Sequence, residues 1–463
     1  MAMPKTDRRN FMKVVATAGS AGTAATLAGP VIAQGQASAN DRIRVGLIGL
    51  GGRMTSHVAC LAALESEENI EIAALCDCDS AKIASAMERY PQLNGKKLAI
   101  YSDERKLLDD TSIDAVSIAT QDHWHSLQTI WACQAGKDVY IEKPGTHNLF
   151  EGRQMVAAAR KYNRIVQHGT QCRSSVEIRE GIEHLKAGLI GDVYLSRAID
   201  YKPRGNLGRN EPGTPPQGLD WDKWVGPAPT VPYSDFRHKR WYWIKEFASG
   251  IMANQGIHNL DIARWGLGLN VHPTKIQSMG GRFVHDDDIE MPNYQMFACQ
   301  YPDGRIVQFE ARGWLTNDEA KMRDTYHFVV PRQAVGNVFL GTKGYMVIPN
   351  YNSYYSFLGR DFEPGPNRAG VDYSNHPALW RSESIPHFRN WIQAIRSRNH
   401  QSLTADIEEG RMSMTLALLG NVAYRTGRTL EFDGATEQCV GDAEANEMLA
   451  PRYRAPYEVP QDV

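Results

Sequence analysis

The chain has 463 residues, of which 42% are hydrophobic and 22% charged, proportions typical of a globular protein of two or three domains. Its 51 Lys and Arg nearly balance 53 Asp and Glu, and a formal net charge of −2 gives no reason to expect nucleic acid or an anionic membrane as partner. Beyond the first 40 residues no stretch approaches about 18 uninterrupted apolar residues, so no membrane span is expected.

The first 39 residues have the pattern of an export signal. The pair Arg8-Arg9 precedes a mildly apolar segment, and small-residue cleavage sites follow at Ala33 and Ala39. Paired arginines in this position resemble the twin-arginine type, although Asp7 stands where Ser or Thr is usual. We therefore predict a signal peptide over residues 1–39 and a periplasmic or otherwise exported location. A basic, disordered tail is the alternative.

Residues 42–170 alternate short β-branched runs with helical patterns. This alternation indicates βαβ units and a parallel sheet, so a first domain is predicted over residues 40–165. The predicted strands are 43–49, 70–76, 113–119, 139–141 and 165–167, and the predicted helices are 53–64, 79–89, 125–135 and 148–161.

After a predicted helix at 176–187 the pattern changes toward strands, which indicates a second domain on an open, mostly antiparallel or mixed sheet over residues 166–432, with a C-terminal tail over 433–463. Residues 202–243 have no clear period, but their tryptophans argue against disorder and predict either a packed loop or a sugar-stacking surface. The other predicted strands are 193–199, 275–279, 294–299, 306–311, 328–330 and 345–348, and the other helices are 384–398 and 405–426.

A glycine-rich turn, Gly49-Leu50-Gly51-Gly52-Arg53-Met54, follows the first predicted strand. Glycines at such a turn let the backbone approach a pyrophosphate, and the helix that begins there offers N–H groups. Asp77 ends the second strand, near the place about 20 residues further on where a carboxylate binds the adenosine ribose. The Asp77 carboxylate favours NAD over NADP because it would repel a 2′-phosphate. The nearby Lys82 is an argument for NADP. The predicted cofactor-binding residues here are Gly49, Gly51, Gly52, Arg53, Met54 and Asp77.

A second polar segment, residues 120–125 (TQDHWH), follows the strand predicted at 113–119. Ligands bind at the carboxyl ends of strands in open α/β sheets, so Thr120, Gln121, His123 and His125 are expected to line the cofactor pocket. The two histidines could instead hold a metal, but their spacing is not that of a standard zinc site, and no metal is predicted.

Glu142-Lys143-Pro144 ends the next predicted strand, on the same edge of the sheet as the glycine turn. A lysine is costly to bury at such a place unless it has a partner, so Lys143 is either a solvated strand end or a functional group. Further on, His258 and Asp261 are three residues apart at the start of an amphipathic helix and share one of its faces. A histidine in that setting is as often structural as catalytic.

Together these segments resemble the glucose-fructose oxidoreductase / inositol dehydrogenase / rhizopine-catabolism (Gfo/Idh/MocA) family, over residues 42 to about 432. The resemblance rests on four motifs. They are the glycine turn, Ala119-Thr120-Gln121-Asp122-His123-Trp124-His125, Glu142-Lys143-Pro144 and Asn254-x-Gly256-x-His258-x-x-Asp261.

The resemblance implies a Rossmann domain followed by an α/β domain whose open sheet often forms oligomer contacts, so a homodimer or homotetramer is expected. It also implies that Lys143 and His258 flank the reacting carbon beside the nicotinamide. Three positions depart from the family pattern: Gln121 replaces a usual proline, Asn254 a common aspartate and Met54 a frequent glycine.

These implications predict an exported NAD-dependent oxidoreductase that transfers a hydride between a tightly bound cofactor and a secondary alcohol of a sugar, glycoside or polyol. His258 is the expected base and Lys143 the donor to the developing oxyanion, with Glu142 orienting Lys143. Glu142 and Lys143 are expected to touch the cofactor as well, and Lys143 and His258 the substrate. The remaining predicted substrate-binding residues are Arg173, Tyr201, His238, Trp241 and Asn254.

Two other functions stay open. The first is a glycoside hydrolase that oxidises its sugar transiently with NAD, permits elimination and then reduces the product. In hydrolases of this superfamily valine stands between the Glu and the Pro, so Lys143 favours net redox chemistry. The second is a non-catalytic sugar-binding protein, which Asn254 favours because an amide cannot take a proton.

Overall fold

The computed structural model describes residues 41–313, 334–370, 384–450 and 453–463. The predicted signal peptide and the strand predicted at 328–330 lie outside these ranges. Residues Arg42–Val463 form a single compact unit. In the part of the chain that is described, no helix has the length and hydropathy needed to cross a membrane.

The first sheet has six strands in the order β3-β2-β1-β4-β5-β6, and every pairing in it is parallel. β4 and β5 are buried at every residue, as expected where helices cover both faces of a sheet. The predicted Rossmann sheet is therefore confirmed. Its strands are β1 (Ile43–Ile48), β2 (Ile70–Cys76), β3 (Ala99–Tyr101), β4 (Ala115–Ile118), β5 (Asp138–Ile141) and β6 (Val166–His168).

Helices connect these strands and continue into the second half of the chain. The helices of the first half are α1 (Met54–Leu64), α2 (Ser80–Ala84), α3 (Ala86–Arg89), α4 (Glu104–Leu108), α5 (Asp122–Gln134), α6 (Leu149–Lys161) and α7 (Val176–Lys186). Those of the second half are α8 (Trp221–Val225), α9 (Asp235–Lys239), α10 (Gly250–Asn254), α11 (Gly256–Gly266), α12 (Ser384–Ser397), α13 (Ile407–Thr426) and α14 (Ala443–Leu449).

The second sheet has ten strands in the order β14-β13-β12-β11-β7-β10-β9-β8-β15-β16. Within this second sheet, β7 and β10 are the only described strands that pair in parallel, which confirms the predicted mixed, mostly antiparallel sheet. The strands are β7 (Val193–Tyr201), β8 (Lys275–Gly281), β9 (Tyr294–Gln300), β10 (Ile306–Arg312), β11 (Ala334–Gly341), β12 (Gly344–Ile348), β13 (Tyr354–Leu358), β14 (Glu363–Arg368), β15 (Leu430–Asp433) and β16 (Gln438–Cys439).

The two faces of this sheet have different neighbours. On one face Ala198 packs with Leu260 of α11 and Met414 of α13 in a large hydrophobic core. On the other face Ile199 and Tyr201 belong to a separate, smaller cluster. Since successive strand residues point to opposite faces, even-numbered residues of β7 face α11 and odd-numbered ones face away.

Helix α12 returns to the Rossmann sheet. Its Phe388 and Trp391 are fully buried in the same core as Val58 and Leu61 of α1. Helix α12 thus packs on the Rossmann domain although it follows most of the second sheet in the chain, and the domain boundaries given above stay a prediction.

Candidate functional site

The glycine turn forms a cradle that an anion can enter. Gly49 has φ +85°, and an added Cβ would lie 2.8 Å from the Thr120 backbone nitrogen, so only glycine fits there. At Gly51 and Gly52 an added Cβ would meet nothing within 4 Å. No side chain caps the first turn of α1, which leaves its N–H groups open to a phosphate. The side chain of Met54 is fully buried in the core below the turn, and its contact with a cofactor stays a prediction.

Asp77 holds the turn in place. It accepts hydrogen bonds from the backbone N–H of Leu50 at 2.7 Å and from that of Asp79 at 2.9 Å. Burial raises the pKa of Asp77. A cavity of about 350 Å³ opens over these groups and is lined by Gly51, Gly52, Asp77, Thr120 and Gln121. The residues present therefore fit the pyrophosphate and adenosine ribose of a dinucleotide.

The tryptophan-rich segment, defined here as residues 216–247, closes one side of that cavity. Its backbone pairs with the loop after β2: Ser80 N–H donates to Gly218 O at 3.0 Å, and Asp220 N–H donates to Cys78 O at 3.1 Å. Lys223 Nζ donates to Ser102 O at 3.1 Å. The segment is therefore attached to the Rossmann domain at three places.

This segment has a hydrophobic core of its own, which includes Trp224, Phe236, Trp243 and Phe247. Trp224 and Trp243 are buried at 3% and 1% exposure, so these two rings anchor the loop instead of presenting a stacking surface. His238 and Trp241 line the cavity beside Asp77. They were predicted to bind substrate, and the structure places them on the cofactor side.

The two histidines of residues 120–125 are buried and hydrogen-bonded within the protein, and their role as cofactor contacts stays a prediction. His123 lies between the carbonyl oxygens of Phe247 and Trp224, each 3.2 Å from a ring nitrogen, and burial lowers its pKa to about 3. His125 lies between Pro144 O and Thr120 O, at 2.5 and 3.1 Å. It thereby ties the loop after β4 to the loop after β5. The structure shows no group of His, Cys, Asp and Glu that could hold a metal among the described residues.

Glu142 ties the end of β5 to the glycine turn. Its carboxylate accepts from Arg53 Nε at 2.5 Å, from Gln171 Nε2 at 3.2 Å, and contacts His57 Nε2 at 3.1 Å. Burial raises the pKa of Glu142, but Arg53 and His57 outweigh burial and hold the pKa well below its usual range. Its link to Lys143 is the backbone N–H of that residue, 3.0 Å from Oε2. Glu142 is therefore a buried carboxylate whose oxygens are bound within the protein, and its catalytic role stays a prediction.

Lys143 reaches across to the second half of the chain. Its Nζ donates to the backbone oxygen of Asn254 at 2.7 Å, four residues before His258. Burial lowers the pKa of Lys143, against the opposing effects of Glu142 and Asp122. Lys143 thus contacts the segment that precedes His258, and the placement of Lys143 and His258 on either side of a reacting carbon stays a prediction.

His258 lies at the start of α11 with its Nδ1 3.9 Å from the thiol of Cys172. Its ring is 5.4 Å from the ring of Tyr351. Burial, followed by the positive charge of Lys143, lowers the pKa of His258 well below its usual range. The imidazole is therefore neutral at neutral pH and able to accept a proton.

Two predicted substrate-binding residues lie elsewhere. Arg173 makes three hydrogen bonds of 2.8 to 3.0 Å to the buried Asp261 and lies 3.0 Å from Glu409, whose side chain is partly exposed. Tyr201 is on the face of β7 that points away from α11 and donates to Glu310 at 2.5 Å. Both residues stabilise the second sheet and its helices, and their contact with a substrate stays a prediction.

Two buried carboxylates near Lys143 escaped the sequence reasoning. Asp122 begins α5 and is 2% exposed, and burial raises its pKa to about 7. Its position between Gln121 and His123 in the motif could have indicated it. Asp200 precedes Tyr201 in β7 and points to the opposite face, toward α11. The alternation of side chains along a strand was the sequence signal that could have placed Asp200 on the face opposite to Tyr201.

Three family models match the chain. "Oxidoreductase family, NAD-binding Rossmann fold" matches residues 43–170. "GFO/IDH/MocA C-terminal domain" matches residues 223–344, and "Oxidoreductase family, C-terminal alpha/beta domain" matches residues 380–459. All three describe Gfo/Idh/MocA proteins, and together they extend over both sheets. Residues 43–170 are accordingly an NAD-binding Rossmann domain.

Among curated proteins, the chain is similar to glycosyl hydrolase family 109 protein 1 of Shewanella sp. (strain ANA-3), with 30% identity over 168 residues. The match covers 34% of this chain and 35% of that protein, so the chain spans about a third of the length of this relative.

Among solved structures, a WlbA dehydrogenase from Bordetella pertussis in complex with NADH and UDP-GlcNAcA has a TM-score of 0.62 at 17% identity, covering 85% of this chain and 99% of that one. A levoglucosan dehydrogenase in complex with NADH and levoglucosan has a TM-score of 0.60 at 18% identity, covering 86% and 99%. At these identities the likeness establishes the fold.

Proposed function

Because this chain belongs to the Gfo/Idh/MocA family of oxidoreductases, we propose that it transfers a hydride between a tightly held NAD and a secondary alcohol of a sugar, glycoside or polyol. The observation that carries the proposal is the meeting of Lys143 and the Asn254–His258 turn beside the dinucleotide cavity. The sugar complexes of the two dehydrogenases above support a carbohydrate substrate.

His258 and Lys143 have different roles in the proposed oxidation. His258, held neutral by burial and by the charge of Lys143, takes the proton from the substrate hydroxyl as hydride leaves the carbon. Its Nδ1 lies 3.9 Å from the Cys172 sulfur, and in the tautomer that donates Nδ1–H to that sulfur, Nε2 is the nitrogen that receives the proton. Lys143 donates a hydrogen bond to the oxygen as negative charge develops there. NAD, when bound, supplies the hydride acceptor.

The tryptophan-rich segment supports the proposal of a retained cofactor. It is attached to the Rossmann domain through Gly218, Asp220 and Lys223, and its His238 and Trp241 line the cavity that fits the dinucleotide. A cofactor in that cavity leaves only after these attachments open, so we expect slow release. Slow release would suit turnover in which one sugar is oxidised and a second is reduced by the same cofactor.

The experiment starts with native mass spectrometry of the purified full-length protein to detect bound NAD(H). A panel of sugars and glycosides is then added while NADH absorbance is followed. We expect Lys143→Met to lower the rate of hydride transfer by about 10²–10⁴-fold while leaving bound NAD unchanged. The matched control is Lys96→Met, which removes a partly buried lysine paired with Glu65 elsewhere on the Rossmann domain. A protein that binds no NAD(H), or a Lys143→Met variant with unchanged turnover, contradicts the proposal.

A second candidate is the NAD-dependent glycoside hydrolase, which the similarity to the family 109 protein favours. The same cofactor and the same base would serve it, because its first step is the same oxidation. Release of the aglycone from an aryl glycoside without net NADH would identify the hydrolase. Net NADH without aglycone release would identify the oxidoreductase. If the chain is a non-catalytic sugar-binding protein, neither NADH nor the aglycone should form.

We also propose that the protein is exported through the twin-arginine route and assembles as a homo-oligomer. The Arg8-Arg9 pair before an apolar segment supports export, and Arg8→Lys/Arg9→Lys should retain the precursor in the cytoplasm. Assembly is proposed because the chain belongs to the Gfo/Idh/MocA family, and the resemblance implies that the open second sheet forms oligomer contacts. Native mass spectrometry of the mature protein reports the oligomer directly.

A further inference from the structure

The turn between α10 and α11 holds two ammonium groups on consecutive residues. Lys143 Nζ donates to the backbone oxygen of Asn254 at 2.7 Å, and Lys202 Nζ donates to the side-chain oxygen of Gln255. Lys143 follows a strand of the first sheet and Lys202 a strand of the second. Two charged donors from different sheets therefore meet at one turn, although stabilising a developing oxyanion needs only one of them.

The polar residues around this turn are partly exposed. Lys143 and His258 each lie between two buried residues in the sequence, yet both are reached by solvent. Because these groups lie close together at one turn, a small polar ligand can reach them where solvent does. The partly exposed residues are Lys143, Lys202, Asn254, Gln255, His258 and Tyr351.

Gln255 fixes the second ammonium group relative to the proposed base. An ammonium group only donates, so the amide must turn its Oε1 to Lys202, and its Nε2 then donates to the hydroxyl of Tyr351. The ring of Tyr351 is 5.4 Å from that of His258. The backbone N–H of His258 donates to Gln255 O at 3.1 Å. Gln255 thus connects Lys202 to the base through its side chain and through its backbone.

Lys202 has donors left for a ligand. Its ammonium group carries three N–H donors. Within the described chain one of them goes to Gln255, and Asp200 Oδ1 lies 3.7 Å away, beyond hydrogen-bond distance. The Lys202 side chain is 25% exposed. A charged donor in this position, beside Lys143, suits a substrate with two neighbouring oxygens, one on the carbon that is oxidised and one on the next carbon.

We propose that Lys202 is a specificity-determining residue that binds a hydroxyl group on the carbon next to the oxidised one, and that Gln255 is the positioning residue that holds Lys202 there. The substrate class is thereby narrowed to sugars, glycosides or polyols in which the oxidised alcohol is part of a vicinal diol. The ion pair of Lys202 with the buried Asp200 favours a neutral hydroxyl over a carboxylate as ligand. This inference rests on the proposed function, because Lys143 and His258 define the carbon that reacts.

The test combines a change in the protein with a change in the substrate. In the full-length protein, kcat/KM is measured for the most reactive sugar of the panel and for each of its monodeoxy analogues. The analogue without the oxidised hydroxyl does not react, which identifies that carbon. In the wild type, an analogue without a neighbouring hydroxyl should react about 10- to 100-fold less efficiently than the parent sugar. In Lys202→Met the two should agree within about twofold, whereas the control Lys96→Met should keep the full difference.

Variants of Gln255 test the positioning role. Gln255→Leu removes the anchor of Lys202, so KM for the parent sugar should rise more than kcat falls, and the discrimination against the deoxy analogue should decrease. Gln255→Glu keeps an oxygen for Lys202 and should recover most of that discrimination. If Lys202→Met does not fold, Gln255→Leu provides the same test, because it leaves the ion pair of Lys202 with Asp200 in place.

Sugar oxidation with wild-type discrimination in Lys202→Met or in Gln255→Leu overturns the inference and leaves the proposed function standing. A preference for a sugar acid that disappears in Lys202→Met also overturns it, because the ligand is then a carboxylate. If no sugar is oxidised, the proposed function fails, and the same variants are compared by calorimetry with the sugar that binds most tightly and its monodeoxy analogues. Discrimination lost in Lys202→Met then sustains Lys202 as a hydroxyl-binding residue, whereas unchanged discrimination, or no sugar binding at all, overturns it.

Discussion

Lys223 is the best single place to test whether the tryptophan-rich segment retains the cofactor. Its Nζ donates to Ser102 O at 3.1 Å and lies 3.4 Å from Asp103 Oδ2, with the two side chains 16% and 20% exposed. A hydrogen bond from a charged group contributes about 1.5–3 kcal/mol, and an exposed ion pair about 0.2–1 kcal/mol. For this partly exposed anchor we expect Lys223→Met to weaken closure of the segment by about 1–2 kcal/mol.

If release of the dinucleotide requires this segment to open, the dissociation rate rises with the population of the open form. A weakening of about 1–2 kcal/mol then corresponds to about a fivefold to thirtyfold faster release. The assay is stopped-flow loss of bound NADH fluorescence on mixing with excess NAD.

Lys223 itself lines the cavity, so a second variant separates closure of the segment from direct contact with the cofactor. Asp103→Asn removes the charge that faces Lys223 and still supplies a residue suited to cap α4. It should accelerate release in the same direction by a smaller factor. Lys96→Met, which removes an ion pair of 23% exposure with Glu65, is the control and should leave release unchanged. Release rates within twofold of wild type in both Lys223→Met and Asp103→Asn would refute retention by the segment.

Three further predictions concern the cradle, the base and the ion-pair network. Gly51→Val should fold but lose NAD binding by calorimetry, because its side chain enters the open space over the turn, and retained affinity would argue against the cradle. Burial and Lys143 hold the pKa of His258 down, so the acid limb of kcat/KM for oxidation should lie below pH 6.5 and move to higher pH in Lys202→Met. If the acid limb of kcat/KM has the same pH in Lys202→Met as in the wild type, His258 is not the base. Arg173→Met should destabilise by about 3–5 kcal/mol in urea unfolding, since it leaves Asp261 buried without its partner. Arg173→Met/Asp261→Leu should recover part of the loss, and near wild-type stability in the single variant would show that the pair is not structural.

The sequence alone was enough for the fold class and for the cofactor edge of the first sheet. Strand and helix periods in residues 42–170 are local properties, and the glycine turn, Asp77 and Lys143 each end a strand whose direction the parallel sheet dictates. The strand β14 could not be anticipated, because the prolines in Glu363–Arg368 argue against a strand, and only an edge position tolerates them.

The tertiary structure decided which polar side chains face the site. Tyr201 and Asp200 are neighbours in sequence, but the period of β7 sends one to the far face and the other toward α11. Arg173, Glu142 and His125 have the chemistry of a site, but their partners come from distant segments and use their hydrogen-bonding groups in packing. The sequence gives the chemical type of each residue. The partner that binds its charged group is determined only by the tertiary structure, which brings together segments far apart in the chain.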